Sequence, residues 1–304
     1  MQYDERLLRQ LEHPQGMVDV VLDTDTYNEI DDQFALSYLL KSTERLQPRA
    51  IYAAPFFNEN STGPADGMER SYREIHKLLG LMERRDMAEF VFRGSERYLT
   101  DEHTPVLSPA AQDLARRAME YSPQQPLYVA AIGAITNVAS ALLMNPQIKE
   151  RIVVVWLGGH STAWPDTQEF NMAQDIAAAR VVFGCGVPLV QLPCMGVVSA
   201  FTVSGDELAA QLAGKNALCD YLAQHTAETV RRYTQSPIWS RPVWDVTAVG
   251  WLLGGGMMQD MLIPAPIPQY DFHYSFDPNR HPIRYVYHIE RDALLRDLVE
   301  KLIR

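Results

Sequence analysis

Six short, nearly continuous apolar segments, separated by longer segments of helical periodicity, constrain the fold of this 304-residue chain more than any other feature. The segments between them carry apolar residues at three- and four-residue spacing, which predicts amphipathic helices. Strands that alternate with helices form βαβ units, and strands buried on both faces are apolar throughout. The pattern therefore predicts an α/β fold, with a mainly parallel Rossmann-like sheet and helices on both faces. The predicted strands cover residues 17–23, 50–55, 90–93, 127–132, 152–157 and 188–192.

The pattern changes after residue 200, where the chain is predicted to be largely helical. A proline-rich stretch follows at 263–272, and the end of the chain predicts a strand at 283–289 and an amphipathic helix. Neither a repeat nor a low-complexity segment nor a long linker divides the sequence. We therefore expect a single domain over residues 1–304 with a helical C-terminal part.

Charge and cysteine content narrow the function classes. The chain has 27 Lys and Arg against 38 Asp and Glu, which gives a formal net charge of −11. Nucleic-acid binding needs clustered cations, so this composition argues against a nucleic acid as partner. No apolar run reaches the roughly 18 residues that span a bilayer, and the charged N-terminus is not a secretory signal. The three cysteines, without metal-ligand spacing, predict reduced thiols. We expect a cytoplasmic enzyme or small-molecule binder, with neither a nucleic acid nor a membrane as partner.

Acidic residues follow the first predicted strand. Asp23 and Asp25 lie at its end, and Asp31 and Asp32 open the next helix. Ligands of open parallel sheets bind at the carboxyl ends of the strands, so these carboxylates are candidates for a site. Burying four carboxylates without a counter-charge is unfavourable, whereas a hard divalent cation such as Ca²⁺ or Mg²⁺ suits an all-oxygen set. The alternative is that single aspartates cap a helix or bind loop amides.

Two later segments supply further polar candidates. Glu169 and Asn171 are two residues apart, so a carboxylate and an amide could together hold vicinal hydroxyls. The alternative is an exposed glutamate beside an asparagine helix cap. Asp245 opens a predicted helix in an apolar context, where an N-cap is again the alternative to a functional role.

Taken in order, four segments resemble the nucleoside hydrolase family, the inosine-uridine preferring ribohydrolases. They carry a D-x-D and D-D opening, a G-x-x-T-N turn, a Gly-Gly strand end followed by E-F-N, and a late D-x-x-A-V. They extend from about residue 17 to 255. In this sequence they are VVLDTDTYNEIDDQFAL, YVAAIGAITNVASALLMNP, VVVWLGGHSTAWPDTQEFNMAQDIAAA and WDVTAVGWLL.

The resemblance implies a calcium-dependent hydrolysis of the N-glycosidic bond of a ribonucleoside, or a related ribosyl compound, to ribose and free base. Asp25 would bind Ca²⁺ and act as the base that deprotonates the attacking water. Asp32, Asp245 and the backbone carbonyl of Ile132 would be the other protein ligands of the metal. Family members are homodimers or homotetramers, so the resemblance also implies a homo-oligomer.

The resemblance also assigns the sugar contacts. Asp31, Glu169 and Asn171 would hold the ribose hydroxyls, and Asn58 would lie near metal and sugar. Asp23 would be the structural first aspartate of the motif.

Three departures concern the loop after the first strand and the part of the site that handles the base. The sequence TYNEI separates Asp25 from Asp31 without the usual Pro-Gly, and it is expected to bring Asn28 or Glu29 close to the metal. Trp244 stands where members that protonate a purine carry histidine. Leu157 replaces a methionine, and an expected asparagine does not follow it.

Candidates for handling the leaving base therefore remain open. His160, at the end of the fifth strand, could reach the site or be a surface loop residue. Trp244 could stack on the base or pack in the core.

Two other function classes fit parts of the sequence. A phosphatase of the haloacid dehalogenase type would use Asp23 as nucleophile and Asp25 as acid/base. That chemistry also needs a later Thr or Ser, a Lys and a distal acidic pair, which the other strand ends do not offer. A non-catalytic alternative is a calcium-stabilised binder of ribosyl ligands, suggested by Trp244 and the longer first loop.

Overall fold

The structure is a computed structural model that describes residues 4–304. Its strands are β1 Val18–Thr24, β2 Leu46–Ala53, β3 Val91–Arg93, β4 Leu127–Ala131, β5 Ile152–Leu157, β6 Leu189–Leu192, β7 Thr202–Ser204, β8 Ser240–Pro242, β9 Met258–Pro264, β10 Ile267–Pro268, β11 Tyr274–Ser275 and β12 Pro282–Ile289. Its α-helices are α1 Glu5–Gln10, α2 Asp31–Lys41, α3 Pro64–Leu81, α4 Pro109–Arg117, α5 Thr136–Met144, α6 Phe170–Gln174, α7 Ile176–Gly184, α8 Gly205–Leu212, α9 Ala217–Val230, α10 Val246–Leu253 and α11 Arg291–Leu302. Short 3₁₀ helices cover Arg85–Phe90, Ala118–Glu120, Pro146–Glu150 and Val198–Ala200.

Eight strands form the central sheet, in the order β3-β2-β1-β4-β5-β6-β12-β9. All neighbours in it pair in parallel except β9, which runs antiparallel to β12 at one edge. The mainly parallel sheet and its first six strands are therefore as the sequence predicts. The main difference among these six is that β2 begins at Leu46, because its polar first half pairs with β1 although it has no apolar signature.

Apolar side chains cover both faces of the sheet, which is why the parallel strands are apolar throughout. Residues of β1 alternate between the two sides: Val20 and Leu22 belong to one cluster and Val21 to the other. The first cluster also receives residues of α2, α3, α10 and α11, and the second receives residues of α4, α5 and α7.

The C-terminal part contains α8 to α11, as expected, but also strands that the sequence does not predict. β7 and β8 pair in a separate two-stranded antiparallel sheet, and the connection between them contains α8 and α9. β9 extends the central sheet beyond β12. Several residues of β9 are exposed, so its sequence lacks the apolar signature of the inner strands. Within residues 4–304, no helix combines the length and the apolar character needed to cross a membrane.

The order of the strands places a crevice beside β1. The chain moves from β1 outward to β3 and then returns to β4, on the other side of β1. The connections that leave β1 and β4 therefore diverge at the carboxyl edge of the sheet. This is the position at which open α/β sheets bind ligands.

Candidate active site

Four buried carboxylates converge at this crevice, and we call them the acid cluster: Asp25, Asp31, Asp32 and Asp245. Asp25 directly follows β1, Asp31 and Asp32 begin α2, and Asp245 precedes α10. Oxygens of Asp31, Asp32 and Asp245 lie within 4.8 Å of one another. Asp31, a predicted sugar ligand, thus belongs to the tightest group, while Asp25 lies close enough to interact with it electrostatically.

Burial is the main reason that the pKa of each of these carboxyl groups is raised. The pKa of Asp31 rises to about 8 and that of Asp32 to about 6, and the pKa of both Asp25 and Asp245 rises well above the usual range. Repulsion from the neighbouring aspartates raises the pKa of Asp25 and Asp245 further. A divalent cation bound here would favour the ionised forms instead.

The donor set fits such a cation. Neither carboxylate oxygen of Asp25 has a hydrogen-bond partner among the described residues, although the side chain is fully buried. Unpartnered buried polar atoms are rare and call for an explanation such as a bound ion. Since the donors of the acid cluster are all oxygens, the group that fits is a hard ion of the Ca²⁺ or Mg²⁺ type.

Local hydrogen bonds hold the acid cluster in place. The Thr24 hydroxyl donates to Asp32 Oδ1 at 2.5 Å and lies 2.8 Å from the hydroxyl of Thr26. The backbone N–H of Asp245 donates to Asp31 Oδ2 at 3.3 Å, which links α10 to α2 across 214 residues of sequence. Asp31 and Asp32 also lie in the first turn of α2, where the helix dipole favours negative charge.

The loop between β1 and α2 brings Asn28 inward. The Asn28 N–H donates to the Asp25 carbonyl at 2.7 Å, and the Asn28 side-chain oxygen accepts from Asn58 Nδ2 at 2.5 Å. Asn60 Nδ2 donates to the Asn28 carbonyl at 2.9 Å. Asn58 therefore reaches the acid cluster through Asn28, and the unusual loop supplies a connection that the Asp spacing alone does not reveal.

The ends of β4 and β5 meet at Asn171. Its Nδ2 donates to the Leu157 carbonyl at 3.1 Å and to the Ile132 carbonyl at 3.3 Å. A carbonyl oxygen has two lone pairs, so the Ile132 carbonyl keeps one acceptor position. The Ile132 side chain is buried in the core.

Glu169 is the N-cap of α6. Its carboxylate accepts from the backbone N–H groups of Gly159, Asn171 and Met172, each at 2.9 Å. Burial outweighs these bonds and raises its pKa to about 7. The alternative of an exposed glutamate beside an asparagine cap is therefore wrong, because Glu169 is both buried and the cap itself.

His160 is buried rather than a surface loop residue. Its Nδ1 accepts from the Met195 N–H at 3.2 Å, so the neutral ring carries its proton on Nε2, 4.0 Å from Asp166 Oδ1. Burial lowers the pKa of His160, which favours the neutral ring. Trp244 packs against the first apolar cluster, and its buried indole N–H has no acceptor among the described residues.

Asp23 occupies a structural position. It is fully buried on β1, and its Oδ1 accepts from Asn137 Nδ2 at 2.8 Å. The Asn137 oxygen accepts in turn from the Ser95 N–H at 2.8 Å, so the three residues tie β1 to α5 and to the loop after β3. This network argues against Asp23 as a phosphatase nucleophile.

Sequence reasoning missed one charged residue of the site, Arg241 on β8. It forms an ion pair with Glu29 and partly offsets the rise in the pKa of Asp31. Its position three residues before Trp244 matches no motif, so only the fold identifies it.

A cavity of about 1110 Å³ lies at the opposite edge of the sheet, near the amino ends of β1 and β2. Asp19, Arg49 and Arg117 line it, and no member of the acid cluster does. The buried donor set, rather than cavity size, therefore locates the candidate site.

Curated relatives match part of the chain. A putative pyrimidine-specific ribonucleoside hydrolase of Shigella dysenteriae is 32% identical over 145 residues, which cover 45% of this chain and 52% of the relative. A pyrimidine-specific ribonucleoside hydrolase of Escherichia coli K12 is 31% identical over 145 residues, 45% of each chain. The matched segment thus spans about half the length of these curated relatives.

Solved structures share the fold over nearly the whole chain. A purine-preferring ribonucleoside hydrolase from Gardnerella vaginalis superimposes with a TM-score of 0.72 at 18% identity, covering 94% of this chain and 98% of that one. An inosine-uridine preferring nucleoside hydrolase from Bacillus anthracis gives 0.69 at 16% identity, covering 94% and 99%. Residues 20–273 also match the profile that describes the inosine-uridine preferring nucleoside hydrolases. That match includes every member of the acid cluster, and it establishes that this chain belongs to the nucleoside hydrolase family.

Proposed function

We propose that this protein hydrolyses the N-glycosidic bond of a ribonucleoside, or of a related ribosyl compound, to ribose and a free base, with Ca²⁺ as its cofactor. The observation that carries the proposal is the acid cluster. Four buried carboxylates converge at the carboxyl edge of the sheet, and both side-chain oxygens of Asp25 lack any hydrogen-bond partner among the described residues. Family membership supports the reaction class.

Asp25, Asp32, Asp245 and the Ile132 carbonyl are the proposed metal ligands. Ca²⁺ held by these residues would supply a positive charge that makes a nearby water more acidic. Asp25 accepts the proton of the attacking water, a role that its unpartnered oxygens support.

The sugar is held by Asp31, Glu169 and Asn171, with Asn58 nearby through Asn28. Cleavage of the bond passes through an oxocarbenium-like sugar, so carboxylates beside the ring favour its developing positive charge. The fixed position of Glu169 at the N-terminus of α6 supports this role, because an oriented carboxylate need not reorganise during the reaction. Its Oε1 accepts one hydrogen bond and keeps capacity for a hydroxyl.

His160 and Trp244 are the residues proposed to face the leaving base. The neutral His160 ring has an N–H at Nε2, which could donate to a substrate atom. The names of the curated relatives refer to pyrimidine nucleosides, and one structural neighbour is named purine-preferring. The test panel therefore needs both classes of base.

Three further expectations, on domain organisation, cellular location and oligomeric state, belong to the same proposal. We propose that residues 1–304 form one domain, that the protein works in the cytoplasm, and that it is a homodimer or homotetramer. The single eight-stranded sheet supports the first and the free thiols of all three cysteines support the second.

Chromatographic detection of free base tests the proposal. Purified protein is incubated with a panel of purine and pyrimidine nucleosides, once with Ca²⁺ and once after chelation. We expect base release that chelation abolishes and added Ca²⁺ restores. Absence of release from every nucleoside would contradict the proposal.

A calcium-stabilised binder of ribosyl ligands is the second candidate, favoured by Trp244 in the place of an acid. Saturable calorimetric binding of nucleosides in the presence of Ca²⁺, without release of base, would support this candidate over the hydrolase.

A further inference from the structure

Arg241 brings a cation to an otherwise acidic site. It lies on β8, and its mostly buried side chain pairs through Nη2 with Glu29. Its Nε and Nη1 donate no hydrogen bond to any residue between 4 and 304, and Nε is buried. The guanidinium carbon lies 5.8 Å from the ring centroid of Trp244 and 5.9 Å from that of Tyr233. Part of the donor capacity of Arg241 is therefore unused, in a setting that aromatic rings shield.

The position of Arg241 within the fold relates it to the leaving base. Arg241 lies on β8, and the short connection from β8 to α10 leads through Trp244 to Asp245 in the acid cluster. Glu169 and Asn171 reach the same crevice from the connection that leaves β5. Arg241 lies close enough to Asp31, a proposed sugar ligand, to interact with it electrostatically.

A cavity of about 40 Å³ lies beside Arg241. Its lining includes Asn28 and Asn60, which belong to the hydrogen-bonded loop that adjoins Asp25, and the ring of Tyr233. Unused donors of Arg241 therefore lie next to open space at the outer edge of the site. Such donors fit a ligand that presents hydrogen-bond acceptors to this space.

Building on the proposed hydrolase function, we propose that Arg241 determines specificity by receiving the leaving base as an anion. The C1′–N bond breaks and its electron pair stays on the base nitrogen, while the oxygen of water bonds to C1′ and the water proton passes to Asp25. The guanidinium of Arg241 binds a carbonyl oxygen of the departing base and stabilises the delocalised negative charge. The base takes a proton from solvent after release, so no acidic side chain is required where Trp244 stands.

This arrangement selects a chemical class of substrate. Bases with carbonyl oxygens conjugated to the glycosidic nitrogen form stable anions, and uracil and xanthine are of this kind. Adenine has no carbonyl oxygen and leaves readily only when it is protonated. We therefore expect uridine and xanthosine to be cleaved faster than adenosine.

Substitution of Arg241 tests the assignment with a pair of leaving groups. The substrates are uridine and 4-nitrophenyl β-D-ribofuranoside, whose nitrophenolate is stable without assistance. We expect Arg241→Gln to lower kcat/KM for uridine by about 100-fold, the usual effect of removing one donor to a developing anion, and to leave the nitrophenyl riboside nearly unaffected. Arg241→Lys keeps the charge and should recover part of the loss on uridine.

Arg232→Gln is the matched control, because it removes the other guanidinium that lines the same cavity. We expect it to retain most activity on uridine. Equal losses on both substrates in Arg241→Gln, an equal loss in Arg232→Gln, or faster cleavage of adenosine than of uridine by the unmodified protein would overturn the inference. Release of nitrophenolate by the unmodified protein shows that the hydrolase function stands even if the assignment of Arg241 fails.

Discussion

At the scale of single residues, Asp25 differs from its neighbours because its carboxylate has no hydrogen-bond partner among the described residues. Asp23, two residues earlier, is held by Asn137, and Asp32 is held by Thr24. Asp25 is equally buried, yet its two oxygens have no partner within residues 4–304. A carboxylate placed in this way is available for a metal ion and for a proton from water.

Replacing Asp25 by Asn tests that role. We expect Asp25→Asn to lower turnover of the best nucleoside by at least about 100-fold, because the amide cannot accept the water proton. The fold should be retained, and the calcium-free protein should unfold at a higher temperature, since one buried repelling charge is removed. Base release and thermal unfolding in chelator measure the two effects.

Asp86→Asn is the control, since Asp86 is an exposed carboxylate that pairs with Arg84 before β3, away from the acid cluster. This variant should keep activity and unfolding temperature close to those of the unmodified protein. Full activity of Asp25→Asn would exclude it as the base.

The spacing of charged residues predicted the aspartates of the acid cluster better than it predicted the residues around them. The aspartates near β1 and α2 stand at recognisable strand and helix ends, so sequence alone suggested that they meet. The length of the first loop predicted that Asn28 or Glu29 lies near the site, whereas Arg241 reaches it on β8, a short strand that leaves no periodic signal. Residues of that kind become visible only when the tertiary structure is known.

At the scale of elements, α3 contains two glycines in contrasting settings. A Cβ on Gly67 would lie 2.0 Å from the Phe56 carbonyl oxygen, whereas a Cβ on Gly80 would meet nothing within 4 Å. Gly67 is therefore required by the close approach of α3 to the segment that leads to Asn58. Gly80 has no such requirement.

Alanine at these two positions should act in opposite directions. We expect Gly80→Ala to raise the free energy of unfolding by roughly 0.5–1 kcal/mol, the helix preference of alanine over glycine. Gly67→Ala should lower it by about 1–3 kcal/mol through overpacking, and should also reduce activity by displacing the Asn58 segment. Urea denaturation of both variants measures the difference, and similar values for the two would contradict the packing at Gly67.

The N-terminus of α6 gives a second test at this scale. Glu169→Gln leaves one side-chain oxygen for three backbone N–H groups and turns an amide toward them. We expect a loss of about 1–2 kcal/mol in the free energy of unfolding, in the range for a lost helix cap. The loss should be present without substrate and without Ca²⁺, which separates it from an effect on catalysis. Unchanged stability in urea would show that the cap is dispensable.

Inner strands and edge elements differed in how well the sequence predicted them. Strands β1, β4, β5 and β6 and the second half of β2 are buried on both faces, so their composition alone identified them. The β7–β8 pair and the edge strand β9 are short or partly exposed, and their pairing depends on contacts between distant parts of the chain. A local pattern cannot encode such pairing.

At the scale of the whole molecule, the buried carboxyl groups link stability to pH. Asp23 and Glu169, each with a pKa near 7, and Asp31, with a pKa near 8, bind protons more tightly when folded than when unfolded. The folded state therefore holds more protons between about pH 4 and 8. Its stability without metal is greatest at the acidic end of this range and falls as pH rises.

Thermal unfolding with and without Ca²⁺ tests this linkage. In chelator, we expect Tm to fall as pH increases from 5.5 to 8. Saturating Ca²⁺ should raise Tm at pH 8 by about 5 °C or more and should have less effect at pH 5.5, where protons compete for the same oxygens. A Tm in chelator that does not change with pH, or a Ca²⁺ effect that is larger at pH 5.5, would contradict the acid cluster as the metal site.

The overall fold was predictable because its information is local and repeated. Each βα unit has its own apolar strand and amphipathic helix, and parallel pairing follows from their alternation. The family resemblance came from four segments in order, three of which include an apolar strand, and the match to residues 20–273 confirmed it. Strand order, and with it the neighbours of each site residue, required the structure.

The separation of Asp31 and Asp245 along the chain, 214 residues, has a consequence for how the molecule folds. A chain emerging from the ribosome carries the first three acidic groups long before the fourth exists. Those groups repel one another, and the carboxylate of Asp245 joins them only when α10 packs against α2. We therefore expect uptake of the proposed ion to mark the completion of folding rather than its start, and a refolding experiment that follows both signals should see tight ion binding appear only in its slowest phase.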